Sequence, residues 1–140
     1  MVEAANCIFC RIVKGEIPCF KLHEDARTLA FMDINPFNDG HCLVITKAHA
    51  ENLYAADEAD LAAAIAVAKR LATAVERALR PDGINLLQAN GAGAGQSVFH
   101  FHFHVFPRKL HDGAQLNWGQ KPGDMSRIGE LAERIRQALP

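Results

Sequence analysis

Residues 100–104 read His-Phe-His-Phe-His, and Val105 and Phe106 extend the apolar run. Strict alternation of this kind fits a half-buried strand, because successive strand side chains point to opposite faces. One face receives His100, His102 and His104, and the other receives Phe99, Phe101, Phe103 and Val105. The phenylalanine face can bury in a core. Three imidazoles then stand in a row at intervals of about 7 Å, two residues of rise each. Such a row can attack phosphorus, bind metal or move protons near neutral pH. Three histidines on one strand face are hard to assign to three unrelated core roles.

The rest of the chain supplies a frame for this strand. Residues 11–18 read as one or two helical turns stopped at Gly15 and Pro18. Residues 20–24 and 28–33 read as strands joined by Asp25-Ala26-Arg27. Residues 41–46 form a short apolar strand after a turn-rich loop at 35–40, and residues 84–88 form another. Asp57 caps the clearest element. Leu61, Ile65, Ala68, Leu71, Ala72, Val75 and Leu79 recur at helical spacing and stop near Arg80, before Pro81-Asp82-Gly83. A last helix is expected over 126–139, with Ile128, Leu131, Ile135 and Leu139 on its apolar side. This order predicts an α+β fold on an antiparallel sheet.

A chain of 140 residues suits one domain spanning 1–140. Its 15 basic and 16 acidic residues leave a net charge of −1 with no basic tract, which argues against a nucleic-acid partner. The first six residues lack a basic n-region and an apolar h-region, and no apolar stretch reaches bilayer length. A cytoplasmic protein without a membrane partner is expected. Cys7 and Cys10 form a C-x-x-C pair, which reads as metal or redox. Cys19 and Cys42 read as small core hydrophobes, since a chain of this size needs no disulfide. His23 and His111 belong to no motif and are expected at the surface.

Residues 90–97, Asn-Gly-Ala-Gly-Ala-Gly-Gln-Ser, lead straight into the histidine strand. A loop of such small residues lets backbone N–H groups approach an anion, and Gln96 and Ser97 add side-chain donors. It lacks the Gly-Lys-Ser/Thr ending of a P-loop. Taken alone, a flexible hairpin connection explains it equally well.

The stretch 95–105, Gly-Gln-Ser-Val-Phe-His-Phe-His-Phe-His-Val, strongly resembles the signature of the histidine triad (HIT) family, His-x-His-x-His followed by apolar residues. The resemblance covers nearly the whole chain. Residues 7–18 resemble the family's opening, and Phe31-Met32-Asp33-Ile34-Asn35-Pro36 with Gly40-His41-Cys42-Leu43-Val44-Ile45 resemble its second block. It implies a HIT fold: a five-stranded antiparallel sheet, a long helix and a C-terminal helix. It also implies a homodimer with the helix over 58–79 near the interface, where Ala62, Ala63, Ala64, Ala66 and Ala68 permit close approach.

The implied chemistry is hydrolysis or transfer at the α-phosphate of a purine nucleotide, with AMP or an adenylated small molecule as partner. By match to the triad, His102 is the nucleophile and forms a nucleotidyl-histidine intermediate that water hydrolyses. His104 contacts a phosphate oxygen, while Gln96, Ser97 and the Gly95 amide match the phosphate-side donors. Asp33 matches the acceptor of the ribose hydroxyls, and Ile8, Phe9, Phe31 and Ile34 match the walls of the base pocket. Asn90 lies near the family's ribose-side asparagine. Core roles would also account for Phe31 and Ile34, and a turn cap for Asp33. In the C-x-x-C subgroup the resemblance implies structural zinc on Cys7, Cys10, His49 and His100, with His41 as the substitute for His49. Val105-Phe106-Pro107-Arg108 resembles the dinucleoside polyphosphate hydrolases, whereas Asp33 and the opening block resemble the phosphoramidases. A nucleotide- and zinc-binding regulator without catalysis is a third option. Trp118 is expected over the site.

Overall fold

A computed structural model describes residues 4–116 and 119–140, so the expectation for Trp118 lies outside the described residues. The elements are α1 (Ile8–Val13), β1 (Lys21–Glu24), β2 (Thr28–Met32), β3 (Cys42–Thr46), α2 (Glu58–Leu79), β4 (Gly83–Leu87), a 3-10 turn (Ala92–Ala94), β5 (His102–Arg108) and α3 (Met125–Ala138). The five strands form one antiparallel sheet in the order β1-β2-β3-β5-β4. The α+β architecture expected from the sequence is therefore present.

The first helix starts three residues earlier than the pattern indicated. Cys7 is its N-cap, with Sγ accepting from Cys10 N–H at 3.4 Å, a role that the search for Ser, Thr, Asp or Asn passes over. The C-x-x-C pair therefore opens α1 rather than preceding it. At α2 the cap is as expected, with Asp57 Oδ1 accepting from Ala59 N–H at 2.8 Å. Its packing face is narrower than the spacing implied. Ala64, Val67, Ala68 and Val75 are buried against the sheet, so Ala64 and Ala68 face the core and not a partner helix as expected, while Ile65 and Leu79 stay exposed. No residue of α3 is buried, so Ile128, Ile135 and Leu139 form an apolar stripe that this single chain does not cover.

β5 begins at His102, not at His100. Its first partner is Ile45 on β3, because the chain turns away after Thr46 and offers no further ladder. Phe99 consequently does not join the core face and is exposed. Phe101 is fully buried and packs with Ala30, Val44, Ala64 and Ala68 under α2. Cys42 is buried on the same side, where desolvation pushes its thiol up to about 12 and leaves it inert. The opposite face of the sheet carries Leu29 and Phe31 of β2, Leu43 and Ile45 of β3, and His102 and His104 of β5. There α1 packs its Phe9 and Cys10 against the aliphatic residues. One strand thus serves a core on one side and a site on the other.

The loop into β3 is held close to α2. Gly40 has φ +88°, and a Cβ at that position would collide with Leu79 Cδ1 and crowd Pro107. Gly40→Ala is expected to cost about 1–2 kcal/mol through the left-handed backbone alone. Urea unfolding at fixed pH measures this cost, and a neutral result would contradict it.

Candidate active site

An open cleft of about 420 Å³ lies on the face of the sheet that carries His102 and His104. Its floor is polar on one side, with Asp33, His41, His102 and His104, and Ser97 stands at its edge. Its walls are apolar and come from the α1 region and the end of β2: Ile8, Phe9, Ile12, Ile17, Phe31 and Ile34. Ile8 and Ile34 are exposed, whereas Phe9 and Phe31 are almost wholly buried. Phe9 meets Phe31 edge-on at 5.6 Å and His102 at 5.2 Å, so an aromatic edge backs the imidazole. Phe31 is both a core residue and a cleft wall.

Each histidine of the triad is oriented by a different backbone carbonyl or ring. His102 Nδ1 lies 2.6 Å from the carbonyl oxygen of His100. A carbonyl only accepts, so Nδ1 carries the hydrogen and Nε2 keeps the lone pair. Among the described residues no buried side-chain nitrogen or oxygen lacks a partner. His102 Nε2 has no hydrogen-bond partner among the described residues, and it is therefore reached from the cleft. His100 is wholly buried and differs from its neighbours. Its Nε2 donates to the carbonyl of Thr46 at 2.6 Å, which leaves the Nδ1 lone pair facing Cys7 Sγ at 3.3 Å and Cys10 Sγ at 3.6 Å. His49 Nδ1 completes this group, 3.3 Å from Cys10 Sγ and 3.2 Å from His100 Nδ1. Cys7, Cys10, His49 and His100 together could hold a metal ion, and none of the four cysteines of the chain forms a disulfide.

The glycine-rich loop at 90–97 is shaped by its own hydrogen bonds. Gln96 Oε1 accepts from Gly91 N–H at 2.7 Å, and its Nε2 donates to the carbonyls of Glu51 at 2.6 Å and Val98 at 3.2 Å. Gly95 takes φ +83° and closes the 3-10 turn by donating to Ala92. In this conformation Gln96 and the Gly95 amide build the loop, and Ser97 is the donor that faces the cleft. Asn90 bonds Gln88 and accepts from Leu53 N–H, and it does not line the cleft. Asp33 does two things: Oδ1 caps the turn by accepting from Asn35 N–H at 2.8 Å, and Oδ2 lies 3.5 Å from His41 Nε2.

His41, which the sequence marks only as a substitute metal ligand, is a buried part of the cleft floor, with Nε2 2.9 Å from His104 Nδ1. The signal was present in the alternation of β3. His41, two residues before Leu43, must share the face on which Leu43 pairs with His104. His23 is half-buried and bonds Asp25 at 2.9 Å, and His111 is exposed.

Burial keeps the cleft imidazoles neutral. Desolvation lowers His102, and it lowers His104 to about 4, with the His102 and His41 rings adding to the shift and the Asp33 carboxylate opposing it. An unfolded histidine takes up its proton near 6.5, so between about 6.5 and 4 the unfolded chain binds more protons than the folded one. The stability associated with neutral His104 is complete above 6.5, declines as pH falls toward 4 and is flat below. Denaturant unfolding of wild type and His104→Gln across this range checks the sign: the variant should show the shallower decline.

A model of the HIT domain matches residues 14–111. The chain belongs to the HIT domain family. Among its relatives, the adenosine 5'-monophosphoramidase hnt1 of Schizosaccharomyces pombe is 41% identical over 96% of this chain and 98% of its own. The adenylylsulfatase HINT3 of Arabidopsis thaliana is 42% identical over 76% of this chain and 54% of its own. A solved HIT family protein from Bacillus anthracis superposes with a TM-score of 0.91 at 37% identity, covering 99% of this chain and 100% of that one. A Zn-bound histidine triad protein from Mycobacterium smegmatis gives a TM-score of 0.72 at 36% identity over 96% and 98%. The five-stranded antiparallel HIT fold is thus shared with solved members of the family.

Proposed function

We propose that this HIT protein hydrolyses or transfers the nucleotidyl group of a purine nucleotide at its α-phosphate, most simply from an adenosine 5'-phosphoramidate, through an intermediate on His102. The observation that carries this reading is the orientation of His102. Its Nδ1–H is held on the His100 carbonyl, and its Nε2 lone pair opens to a cleft with one apolar and one polar side. Nε2 attacks phosphorus, a P–Nε2 bond forms, and the P–N bond to the departing amine breaks, the amine taking its proton from water in the open cleft. Positive charge grows on the ring as the bond forms. The bond from Nδ1–H to the carbonyl becomes charge-assisted at that moment, which favours the transition state over the ground state. Water then attacks phosphorus and releases a proton to solvent, the P–Nε2 bond breaks to return neutral His102, and the nucleoside monophosphate leaves.

His104 and Ser97 serve the phosphate oxygens, with Gly95 and Gln96 shaping the loop that presents Ser97. Asp33 accepts the ribose hydroxyls, and Ile8, Phe9, Phe31 and Ile34 flank the base. Asn90 belongs to this reading only at the outer edge of the ribose side. The relatives support the nucleotide half of the substrate, because a phosphoramidase and an adenylylsulfatase share an adenylyl group and differ in what leaves. The polyphosphate alternative is weakened by Arg108, whose guanidinium is spent on Asp112, Asn85 and the Ala114 carbonyl.

Zinc suits Cys7, Cys10, His49 and His100. Tetrahedral zinc with bonds of roughly 2.0–2.3 Å keeps nitrogen and sulfur ligands about 3.3–3.8 Å apart; the four separations that involve His100, or His49 and Cys10, are 3.2–3.6 Å, and all ligand atoms lie within 4.8 Å of one another. Bound there, zinc would tie the start of α1 and the segment at His49 to the lead-in of β5. The uncovered stripe of α3 and the exposed Ile65 and Leu79 support a homodimer. The whole chain acts as one domain in this reading, in the cytoplasm and without nucleic-acid or membrane partners.

Turnover of adenosine 5'-phosphoramidate and of a diadenosine polyphosphate by the same preparation tests the substrate. The phosphoramidate should give the higher kcat/KM, and preference for the dinucleotide would reverse the assignment. Binding of AMP with turnover of neither would leave the regulator reading.

A further inference from the structure

His41 takes no step in the reaction above, yet its two ring nitrogens have partners of opposite kind. Nδ1 lies 3.3 Å from the backbone N–H of Phe37. An amide N–H only donates, so Nδ1 keeps its lone pair. A neutral imidazole has one ring hydrogen, and in His41 it therefore sits on Nε2. That nitrogen is 2.9 Å from His104 Nδ1. His104 Nδ1 must then accept, and the ring hydrogen of His104 is driven to Nε2. His104 Nε2 has no partner among the described residues, and because no buried side-chain nitrogen there goes unpaired it opens to the cleft.

We infer that His41 is a positioning residue that carries the direction of the Phe37 amide to His104, so that His104 presents a donor and never a lone pair beside the nucleophile. The inference rests on the catalytic reading of the cleft. The rings of His102 and His104 are 4.9 Å apart. A lone pair on His104 Nε2 would repel the phosphate oxygens and offer phosphorus a competing nucleophile. A donor there attracts those oxygens and leaves His102 as the one nucleophilic nitrogen. The relay is held in place by packing. Phe37 stacks on Phe106 at 5.5 Å, and His41 lies against the same ring at 4.9 Å. Asp33 Oδ1 pins the start of the turn through Asn35 N–H.

Asp33, His41 and His104 also form a set that could hold a cation. Coordination by His41 Nε2 would require its lone pair and would push the hydrogen to Nδ1, head-on against the Phe37 N–H. The hydrogen-bond chain therefore describes this group better than a metal does.

Long-range 1H–15N correlation spectra of histidine-labelled protein separate the two tautomers of each ring. In wild type, His41 and His104 should be Nε2–H while His102 is Nδ1–H. His41→Phe should release His104 into a mixture and lower kcat between about tenfold and a hundredfold, a larger loss than the accompanying loss of AMP affinity. His41→Gln, which places an amide donor near the old Nε2, should restore the His104 tautomer and bring kcat within about threefold of wild type. An Nδ1–H tautomer of His104 in wild type, an unchanged His104 in His41→Phe, or a His41→Gln variant as impaired as His41→Phe would overturn the inference. So would zinc resonance shifts confined to His41 and His104. Should His41→Phe not fold, the spectra of wild type and His41→Gln decide alone. An inactive wild type with the tautomers as described would sink the catalytic reading and leave the relay standing.

Discussion

His102→Ala is expected to reduce phosphoramidate turnover by at least about 10⁴-fold while leaving the fold and AMP binding intact. The size follows from what the residue supplies. Its Nε2 is the one imidazole nitrogen of the cleft floor that carries a lone pair toward the substrate, since His104 and His41 both place hydrogens on theirs. Alanine leaves His104 and Ser97 able to hold phosphate but nothing to attack it. The paired observation is covalent. Wild type quenched in alkali during turnover should gain the mass of one adenylyl group on the peptide containing residue 102, because a phosphorus–imidazole bond survives base better than acid. Retained activity in the alanine variant, or an adenylyl group on His104 instead, would refute the assignment.

Disruption of the Cys7, Cys10, His49 and His100 cluster has the second largest expected effect, and it acts on stability before activity. Zinc present at a thousandfold excess over its Kd would stabilise the folded chain by about 4 kcal/mol. For a chain of this length that corresponds to roughly 8–16 °C in Tm. The Cys7→Ser, Cys10→Ser double variant, or wild type treated with a strong chelator, should show a loss of this order. The physical reason lies in the polar groups left behind. His100 is fully buried, with its Nδ1 lone pair 3.3 Å from Cys7 Sγ and 3.2 Å from His49 Nδ1, and a cation among them would bind these buried donor atoms at one centre. Activity should fall less steeply than stability, and should fall with it as the lead-in to β5 loosens, because the His100 carbonyl orients His102. A preparation purified without chelator that contains no zinc and melts unchanged after chelation would exclude a structural metal.

Much of the fold was legible in local patterns because local forces set those elements. α2 was read to within a residue, since an Asp cap, an apolar stripe and a Pro-Asp-Gly stop agree with one another. β2, β3 and β4 likewise fell within a residue or two of their observed ends. The errors share a cause, which is that a distant segment outweighed the local signal. α1 begins at Cys7 because a thiol caps it, and the same thiol faces His100. β5 starts two residues late because the ladder partner turns away after Thr46. Ile65 follows buried Ala64 by one residue, about 100° around the helix, and Leu79 is the last residue of α2, so neither is covered in this chain.

The site followed the same division. The resemblance to the HIT family marked Asp33 and the apolar wall residues, while residue types and spacing alone placed three histidines on one strand face after a glycine-rich loop and set Cys7 and Cys10 apart as a metal or redox pair. These are properties of short stretches, and a strand or helix period reads them directly. Only the tertiary structure decided which nitrogen of each ring is a base and which is a donor. The Thr46 carbonyl turns the His100 lone pair toward the cysteines, the His100 carbonyl turns that of His102 toward the cleft, and the Phe37 amide acting through His41 turns that of His104 away from it. An imidazole is the same group in every sequence. Its chemistry is chosen by the partner of its other nitrogen, and two of these three partners arrive from segments more than fifty positions away.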